Sequence, residues 1–408
     1  MNIFLVILLA AIAIVTLLRY KMPIGVAILS GGLVMWLCLD RTLASLVESA
    51  VMTVEQSRTY DLLFSLYFVM CLEIELRRSG TLDGMVKALN RLFKSTRVTL
   101  ATMPAFLGFL PSLGGARFSA PIVEAASAKM NLKPETKAAI NFWFRHIFEV
   151  SSPTIPGMIL ACAIAGIHVS DLVLHLLWFS VAAFVIGWLV LLAPLKKHDH
   201  ISSEPVSIEA KLQNIFDVVL AIAPVVVNLL LMIVFDISAA ISMGIVTAAM
   251  IPILRLCGRR ANLREILLGA LDYKLLGNVC LILYFIGLLT TTGALEQIVA
   301  IMTSAAIPTP VVFAILSFII GMLTGMSQGY ISMVMPIAAS ISFGSIDYAG
   351  LAMVFGCAGQ MITPVHLCFT ISVDYFKANF FKTLKPVLMI EVPLIALFSI
   401  VTYFTWIG

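Results

Sequence analysis

The chain has 408 residues, of which 61% are hydrophobic and only 12% are charged, and its formal net charge is +4. Ordinary soluble domains carry about 25% charged residues, so this composition excludes a soluble globular protein. Apolar runs long enough to cross a bilayer recur along most of the chain. We therefore expect an all-α polytopic membrane protein.

The first half of the chain begins with an apolar run that we expect to be retained. The residues before Leu5 lack a basic region, and the run has no small-residue cleavage site. Between the third and fourth predicted spans lies a two-armed segment, 98–128, whose arms are each too short to cross a bilayer. We predict that it forms a re-entrant hairpin. The predicted spans of this half are 3–18, 22–39, 60–76, 136–165 and 172–194.

The second half follows the same plan after a short polar linker, 196–211. Its own two-armed segment, 310–340, is the second predicted hairpin. An apolar stripe at helical spacing in 42–58, and another in 262–273, predict one interfacial amphipathic helix in each half. The predicted spans of this half are 213–235, 238–254, 274–290, 348–372 and 386–406.

Three pairs of motifs recur in the same order in the two halves. LYFVMCLEIELRRSGTLDGMV matches LYFIGLLTTTGALEQIVAI, FLGFLPSLGGARFSAP matches FIIGMLTGMSQGYISMVMP, and EVSSPTIPG matches QMITPVHLC. These matches predict two structural repeats, 1–195 and 212–408, each with five spans and one hairpin.

Charge predicts that the repeats are inverted. The loop that follows Leu76 holds six basic residues, whereas its counterpart, 290–309, holds none. Because basic residues collect on the cytoplasmic side of a membrane, equivalent loops are expected on opposite faces. We expect a multi-pass protein of the cytoplasmic (inner) membrane with both termini outside. The six residues are Arg77, Arg78, Lys87, Arg91, Lys94 and Arg97.

The hairpin tips and the Ser/Thr-Pro sequences in mid-span are the candidate binding elements. Irregular backbone at membrane depth occurs where protein or water satisfies it, and helices broken at the midplane bind solutes in many transporters. The tip residues are Ser112, Gly114, Gly115, Arg117 and Ser119 in the first hairpin and Thr324, Ser327, Gln328, Gly329 and Ser332 in the second. The break residues are Glu149, Ser151, Ser152, Pro153 and Thr154, and Gln360, Thr363, Pro364 and His366. A sodium ion is a candidate ligand at Gly114, Ser152, Ser327 and Thr363.

Four charged or titratable residues in or near these elements have alternative interpretations. Arg117 either pairs with a substrate carboxylate or forms an ion pair with Glu124. Glu149 either carries a proton or helps a sodium site, or it pairs with Arg145 or Arg117. His146 and His366 either titrate near neutrality or serve as hydrogen-bonded packing groups.

No cofactor, resident metal or enzymatic activity is predicted. The seven cysteines are scattered without zinc-ligand or disulfide spacing. No Walker loop, HExxH or GxSxG motif occurs. The expected partners are a small anionic solute and the lipid bilayer, with no nucleic acid.

The paired tips and breaks resemble those of the ion transporter superfamily, which includes the divalent anion/sodium symporters, the arsenite permeases and the large membrane subunit of tripartite (TRAP) carboxylate transporters. The chain is most similar to the integral-membrane family called domain of unknown function 401, on the segments PSLGGARFSAP, RHIFEVSSPTIPG and GQMITPVHLC. The resemblance implies a homodimer and an elevator mechanism, in which the hairpins and broken spans form a transport domain. It also implies that the first spans of each half, 1–76 and 213–290, form a scaffold. The Ser-Asn-Thr triplets of the divalent-anion symporters are absent at these tips and breaks.

The sequence therefore favours a secondary active transporter of a small organic anion, a carboxylate, coupled to sodium or protons. The alternative is the membrane subunit of a TRAP-like uptake system. A channel or a membrane enzyme fits less well, because polar residues cluster at the tips and breaks and no nucleophile–base pair is found.

Overall fold

A computed structural model describes residues 3–92, 95–109, 116–128, 130–195, 207–304 and 306–407. Across these ranges the chain forms helices and connecting turns, without a β-strand. Most of the predicted linker, 196–211, lies outside them. The fold class is therefore all-α, as the composition predicted.

The helices of the first half agree closely with the predicted spans. The fourth predicted span consists of two helices, α8 and α9, with turns between them. The last helix continues as a π-helical turn, Trp188–Leu192. In order, the helices are α1 (Ile3–Arg19), α2 (Ile24–Leu39), α3 (Leu43–Glu55), α4 (Ser57–Arg78), α5 (Thr81–Leu92), α6 (Thr96–Phe109), α7 (Ala116–Ser127), α8 (Pro134–His146), α9 (Pro156–Ala165) and α10 (Val169–Gly187).

The second half contains a similar series. Its last helix also continues as a π-helical turn, Tyr403–Ile407. In order, the helices are α11 (Ile208–Phe235), α12 (Ala239–Leu256), α13 (Leu263–Gly269), α14 (Tyr273–Thr291), α15 (Ala294–Ser304), α16 (Thr309–Thr324), α17 (Ser327–Ile341), α18 (Ile346–Met361), α19 (Leu367–Phe376) and α20 (Phe380–Thr402).

Long apolar helices make this a multi-pass membrane protein. Within the described residues, five helical stretches are long and apolar enough to cross a bilayer. Other predicted spans form shorter apolar helices, such as α1 and α2, or are divided at a break. The span predicted at 60–76 is the undivided 22-residue helix α4, which is not among the apolar stretches. The five stretches are Val169–Leu192, Ile208–Phe235, Ala239–Leu256, Leu263–Thr291 and Phe380–Thr405.

Two helices were missed by the sequence analysis. The segments after the third span of each half, treated above as loops, contain α5 and α15. The segments predicted as interfacial amphipathic helices, 42–58 and 262–273, contain the helices α3 and α13, and each starts at a side-chain cap. The helix α13 also falls within the apolar stretch Leu263–Thr291. Thr42 accepts a hydrogen bond from the Ser45 amide, and Asn262 accepts one from the Arg264 amide.

The chain divides into two compact units, each assembled from segments of both halves. Unit 1 comprises Met1–Tyr67, Ile159–Leu172 and Leu271–Val365. In it, α2 packs along α14, and the Gly25 amide donates a 3.0 Å hydrogen bond to the Asn278 side chain. Here too α16 packs closely along α18, since a Cβ on Gly321 would overlap the backbone of Gly356.

Unit 2 comprises Phe68–Met158, Val173–Ala270 and His366–Gly408. Its first-hairpin helix α6 packs on both α7 and α8. A Cβ on Gly108 would overlap the carbonyl of Arg145, so α6 and α8 touch through their backbones. Elsewhere in this unit α11 packs on α5 and α12, and Asp217 forms an ion pair with Arg259.

Candidate functional site

The tip of the second hairpin is a two-residue reversal between α16 and α17. Gly325 adopts the left-handed conformation with φ of 64°, and Met326 is extended. Glycine occupies this conformation without steric cost. The Thr324 hydroxyl at the end of α16 donates to the Ile320 carbonyl at 2.8 Å. The two helices therefore pack on each other as the sequence predicted for 310–340.

The start of α17 is packed tightly against this tip. A Cβ on Gly329 would lie 2.7 Å from the Cβ of Thr324 and 2.9 Å from the side chain of Ile24. Glycine at 329 thus permits the approach of the two arms. The Ser332 hydroxyl donates to the Gly329 carbonyl at 2.9 Å. Ser327 and Ser332 are buried, and Gln328 is half-buried.

The second break separates α18 from α19. Thr363 is 3% exposed, and its hydroxyl accepts the Val365 amide at 3.4 Å. Gln360 is also buried, whereas Pro364 is exposed. These residues lie in unit 1, while His366 begins the next segment of unit 2.

The first break lies in unit 2 and is fastened to the end of the first hairpin arm. The Ser152 hydroxyl donates to the Phe109 carbonyl at 3.1 Å, and the Thr154 hydroxyl donates to the same carbonyl at 3.3 Å. Ser151 pairs with the Ser180 hydroxyl at 2.6 Å. The two hydroxyls on either side of Pro153 therefore satisfy a carbonyl at the end of α6 that has no partner within that helix.

The first tip is mostly outside the described residues. Ser112, Gly114 and Gly115 all lie there, and so does the side chain of Arg117, although its backbone belongs to α7. Ser119 is fully buried in the same helix. The substrate and sodium roles of this tip remain predictions.

The structure shows interaction partners for two carboxylates, Glu124 and Glu149, whose pairing the sequence left open. Glu124 accepts a 2.8 Å hydrogen bond from the Tyr375 hydroxyl, so this carboxylate is engaged by α19. Glu149 interacts electrostatically with Arg145. Arg145 also donates to the Leu107 carbonyl at 3.2 Å. Pairing of Glu149 with Arg145 was one of its predicted alternatives.

A cluster of His146, His366 and Cys368 was not predicted. One ligand atom from each residue lies within 4.8 Å of the other two. The two imidazole centroids are 4.8 Å apart, and Phe142 contacts both rings edge-on or at a tilt. Because the histidines lie in different halves of the chain, no linear spacing could have found them.

Unit 1 also holds a cavity of about 320 Å³. Arg58 and Glu296 line it, together with hydroxyl side chains that include Thr53. The Arg58 guanidinium carbon lies 4.7 Å from the centre of the Phe343 ring, a cation–π arrangement.

The comparisons with known proteins agree with the family suggested by the motifs. A search of curated proteins found no match. The family described as Protein of unknown function (DUF401) matches residues 3–405, which is nearly the whole chain. The match includes both hairpins, both breaks and the scaffold helices. The chain therefore belongs to the DUF401 family.

Proposed function

We propose that this protein is a secondary active transporter that moves a small organic anion, a carboxylate, across the cytoplasmic membrane. Transport is coupled to sodium or protons and proceeds by an elevator mechanism within a homodimer. The two halves of the chain form an inverted repeat, with both termini outside. The hairpins and broken helices hold the solute near the bilayer midplane.

The observation that carries the proposal is the shared packing of hairpin and broken helix. In unit 2, α6 packs on α7 and α8; in unit 1, α16 packs on α17 and α18. Gly108 provides the backbone contact in the first set, and Gly321 provides it in the second. Two copies of this arrangement, one from each half, support an internal repeat of the kind found in secondary transporters.

The helix order gives a second line of support. In each half, the third helix is short and has an amphipathic sequence, and a break separates the eighth helix from the ninth. Both halves end in a π-helical turn. Since the basic residues favour opposite faces for equivalent loops, this correspondence supports inverted rather than parallel repeats.

The chemistry of the breaks suits an anion and a small cation. Hydroxyls of Ser152, Thr154 and Thr363 are buried beside backbone that does not belong to a helix. Hydroxyl and carbonyl oxygens are the ligands that hard cations prefer. Arg117 supplies the positive charge that a carboxylate requires.

Reconstitution into liposomes tests the proposal. Labelled mono- and dicarboxylates are offered under imposed sodium or proton gradients. We expect uptake of at least one anion that depends on one gradient and is abolished when that gradient is collapsed. Arg117→Gln should weaken the affinity for this anion, whereas Arg91→Gln, at an exposed position on α5, should not. Uptake that is independent of both gradients would refute ion-coupled transport.

A further inference from the structure

We propose that His146, His366 and Cys368 form a binding site for a borderline-soft divalent transition metal, with Zn²⁺ as its representative. The site lies in unit 2, where the end of α8 meets the start of α19. His366 also belongs to the second break of the transport proposal, but metal binding at this cluster does not depend on transport.

The arrangement of the three side chains supports a metal site. Their ligand atoms lie within 4.8 Å of one another. With bonds of about 2.0–2.3 Å, tetrahedral ligands lie about 3.3–3.6 Å apart. A closure of up to about 1.2–1.5 Å, achieved by rotations about the side-chain bonds, would bring all three into coordination. Two imidazoles and one thiolate form a donor set that suits Zn²⁺.

The hydrogen bond of His146 leaves one ring nitrogen, Nε2, available as a metal ligand. Its Nδ1 lies 2.7 Å from the Phe142 carbonyl oxygen. A carbonyl can only accept, so Nδ1 carries the proton and the neutral ring presents its lone pair at Nε2. Metal-binding histidines commonly donate their other ring N–H to a backbone carbonyl, which fixes the tautomer and the ring orientation.

Arg145 places a positive charge beside Cys368, which would offset the thiolate that forms when a divalent metal displaces the thiol proton. The Arg145 side chain hydrogen-bonds the Cys368 sulfur. Because a guanidinium only donates, the sulfur is the acceptor. Glu149 also interacts with both Arg145 and Cys368. A divalent metal therefore meets one thiolate and one carboxylate charge against one guanidinium charge, and these protein charges sum to −1.

The walls of the site would exclude bulk water while leaving a route for the metal. Phe142 packs against both imidazoles, and its ring lies 4.8 Å from that of Phe369. The two histidines are buried, whereas Cys368 is partly exposed. Three protein ligands leave a fourth tetrahedral position for water or an exogenous ligand.

A binding experiment on the full-length protein in detergent tests this inference. The protein is stripped with a chelator, titrated with Zn²⁺ and analysed for metal content after desalting. We expect one Zn²⁺ per chain, and a loss of affinity of roughly tenfold or more in His146→Gln and in Cys368→Ser, as for altered metal sites in general. The matched controls, His175→Gln and Cys357→Ser, should bind as the wild type does. Equal affinity in all five proteins would mean adventitious surface binding and would overturn the proposal.

Cobalt substitution provides a readout that does not require a variant to fold. Co²⁺ in a tetrahedral site with a thiolate ligand gives an intense sulfur-to-metal charge-transfer band in the near ultraviolet. The wild-type protein should show this band, and excess Zn²⁺ should displace it. If the Co²⁺ spectrum of the wild type lacks a thiolate band, Cys368 is not a ligand. No ion gradient is used in either measurement, so failure here would leave the transport proposal standing, and the reverse also holds.

Discussion

Gly321 of α16 lies directly against the backbone of Gly356 of α18, with no space for a side chain between the two helices. We expect Gly321→Ala to lower the free energy of unfolding by about 1–3 kcal/mol, because the new methyl group would force the helices apart. Thermal unfolding of the purified protein in detergent measures this loss.

The matched control is Gly277→Ala in α14. A Cβ at residue 277 meets no atom within 4 Å, and alanine is the better helix former. This variant should be as stable as the wild type. A melting temperature for Gly321→Ala equal to that of Gly277→Ala would show that the close approach of α16 and α18 is not required.

The ion pair of Asp217 with Arg259 should contribute measurably to stability. Both side chains are largely buried, with exposed fractions of 15% and 18%, so Asp217→Asn would weaken the pairing of a poorly solvated guanidinium. We expect a loss of about 1–3 kcal/mol. The pair of Arg78 with Glu265 has a longer separation of 3.8 Å and is mostly exposed, so Glu265→Gln should change stability by less than about 1 kcal/mol. Comparable losses in both variants would contradict this reasoning.

Transport should depend on the hydroxyl of Ser152. We expect Ser152→Ala to reduce gradient-driven uptake in liposomes, since it removes one of the two hydroxyls that fasten the first break to the Phe109 carbonyl. Ser242 is equally buried and also donates to a carbonyl, that of Asn228. Ser242→Ala is therefore the control for loss of a buried hydroxyl away from the breaks. Equal uptake by both variants would remove Ser152 from the binding region.

Arg58 in the unit 1 cavity should affect capture of the anion rather than turnover. We expect Arg58→Gln to raise KM for the transported anion with little change in kcat, because the guanidinium attracts the solute into the cavity. The control is Arg41→Gln, since Arg41 is exposed and donates locally to the Leu37 carbonyl. A lowered kcat with unchanged KM would argue against a role in capture.

Labelling from one side of the membrane tests the inverted repeat. Lys87 on α5 and Ala300 on α15 are both exposed, and each lies after the third span of its half. In a Cys280→Ser background, we expect an impermeant thiol reagent applied to intact cells to label Ala300→Cys and to spare Lys87→Cys. Equal labelling of the two positions, before any permeabilisation, would rule out opposite orientations.

The sequence predicted the positions of most helices because its signals are local. Apolar runs marked the spans, Ser/Thr-Pro marked the breaks, and the glycines around Gly325 marked the second tip. Charge alone, the signal used for these two segments, does not reveal the helices α5 and α15. Their helical pattern is evident in hindsight, since α5 alternates buried residues such as Met85 with exposed ones such as Lys87.

The remaining features depend on contacts between distant segments. Residues from different halves form the cluster of His146, His366 and Cys368. Likewise, Tyr375 reaches Glu124 from the other half of the chain. A single sequence carries no local mark of such pairs, because packing alone decides which side chains meet.

The hydrogen bond from Gly25 to Asn278 joins residues separated by 253 positions. At a synthesis rate of about 5–20 residues per second, α2 would reach the membrane roughly 10–50 s before its partner α14 exists. During that interval its glycine-lined face must be covered by lipid, by the insertion machinery or by a chaperone. Helix packing is therefore expected to follow membrane insertion, with α2 released into the bilayer individually and paired with α14 only after Tyr273–Thr291 has been synthesised.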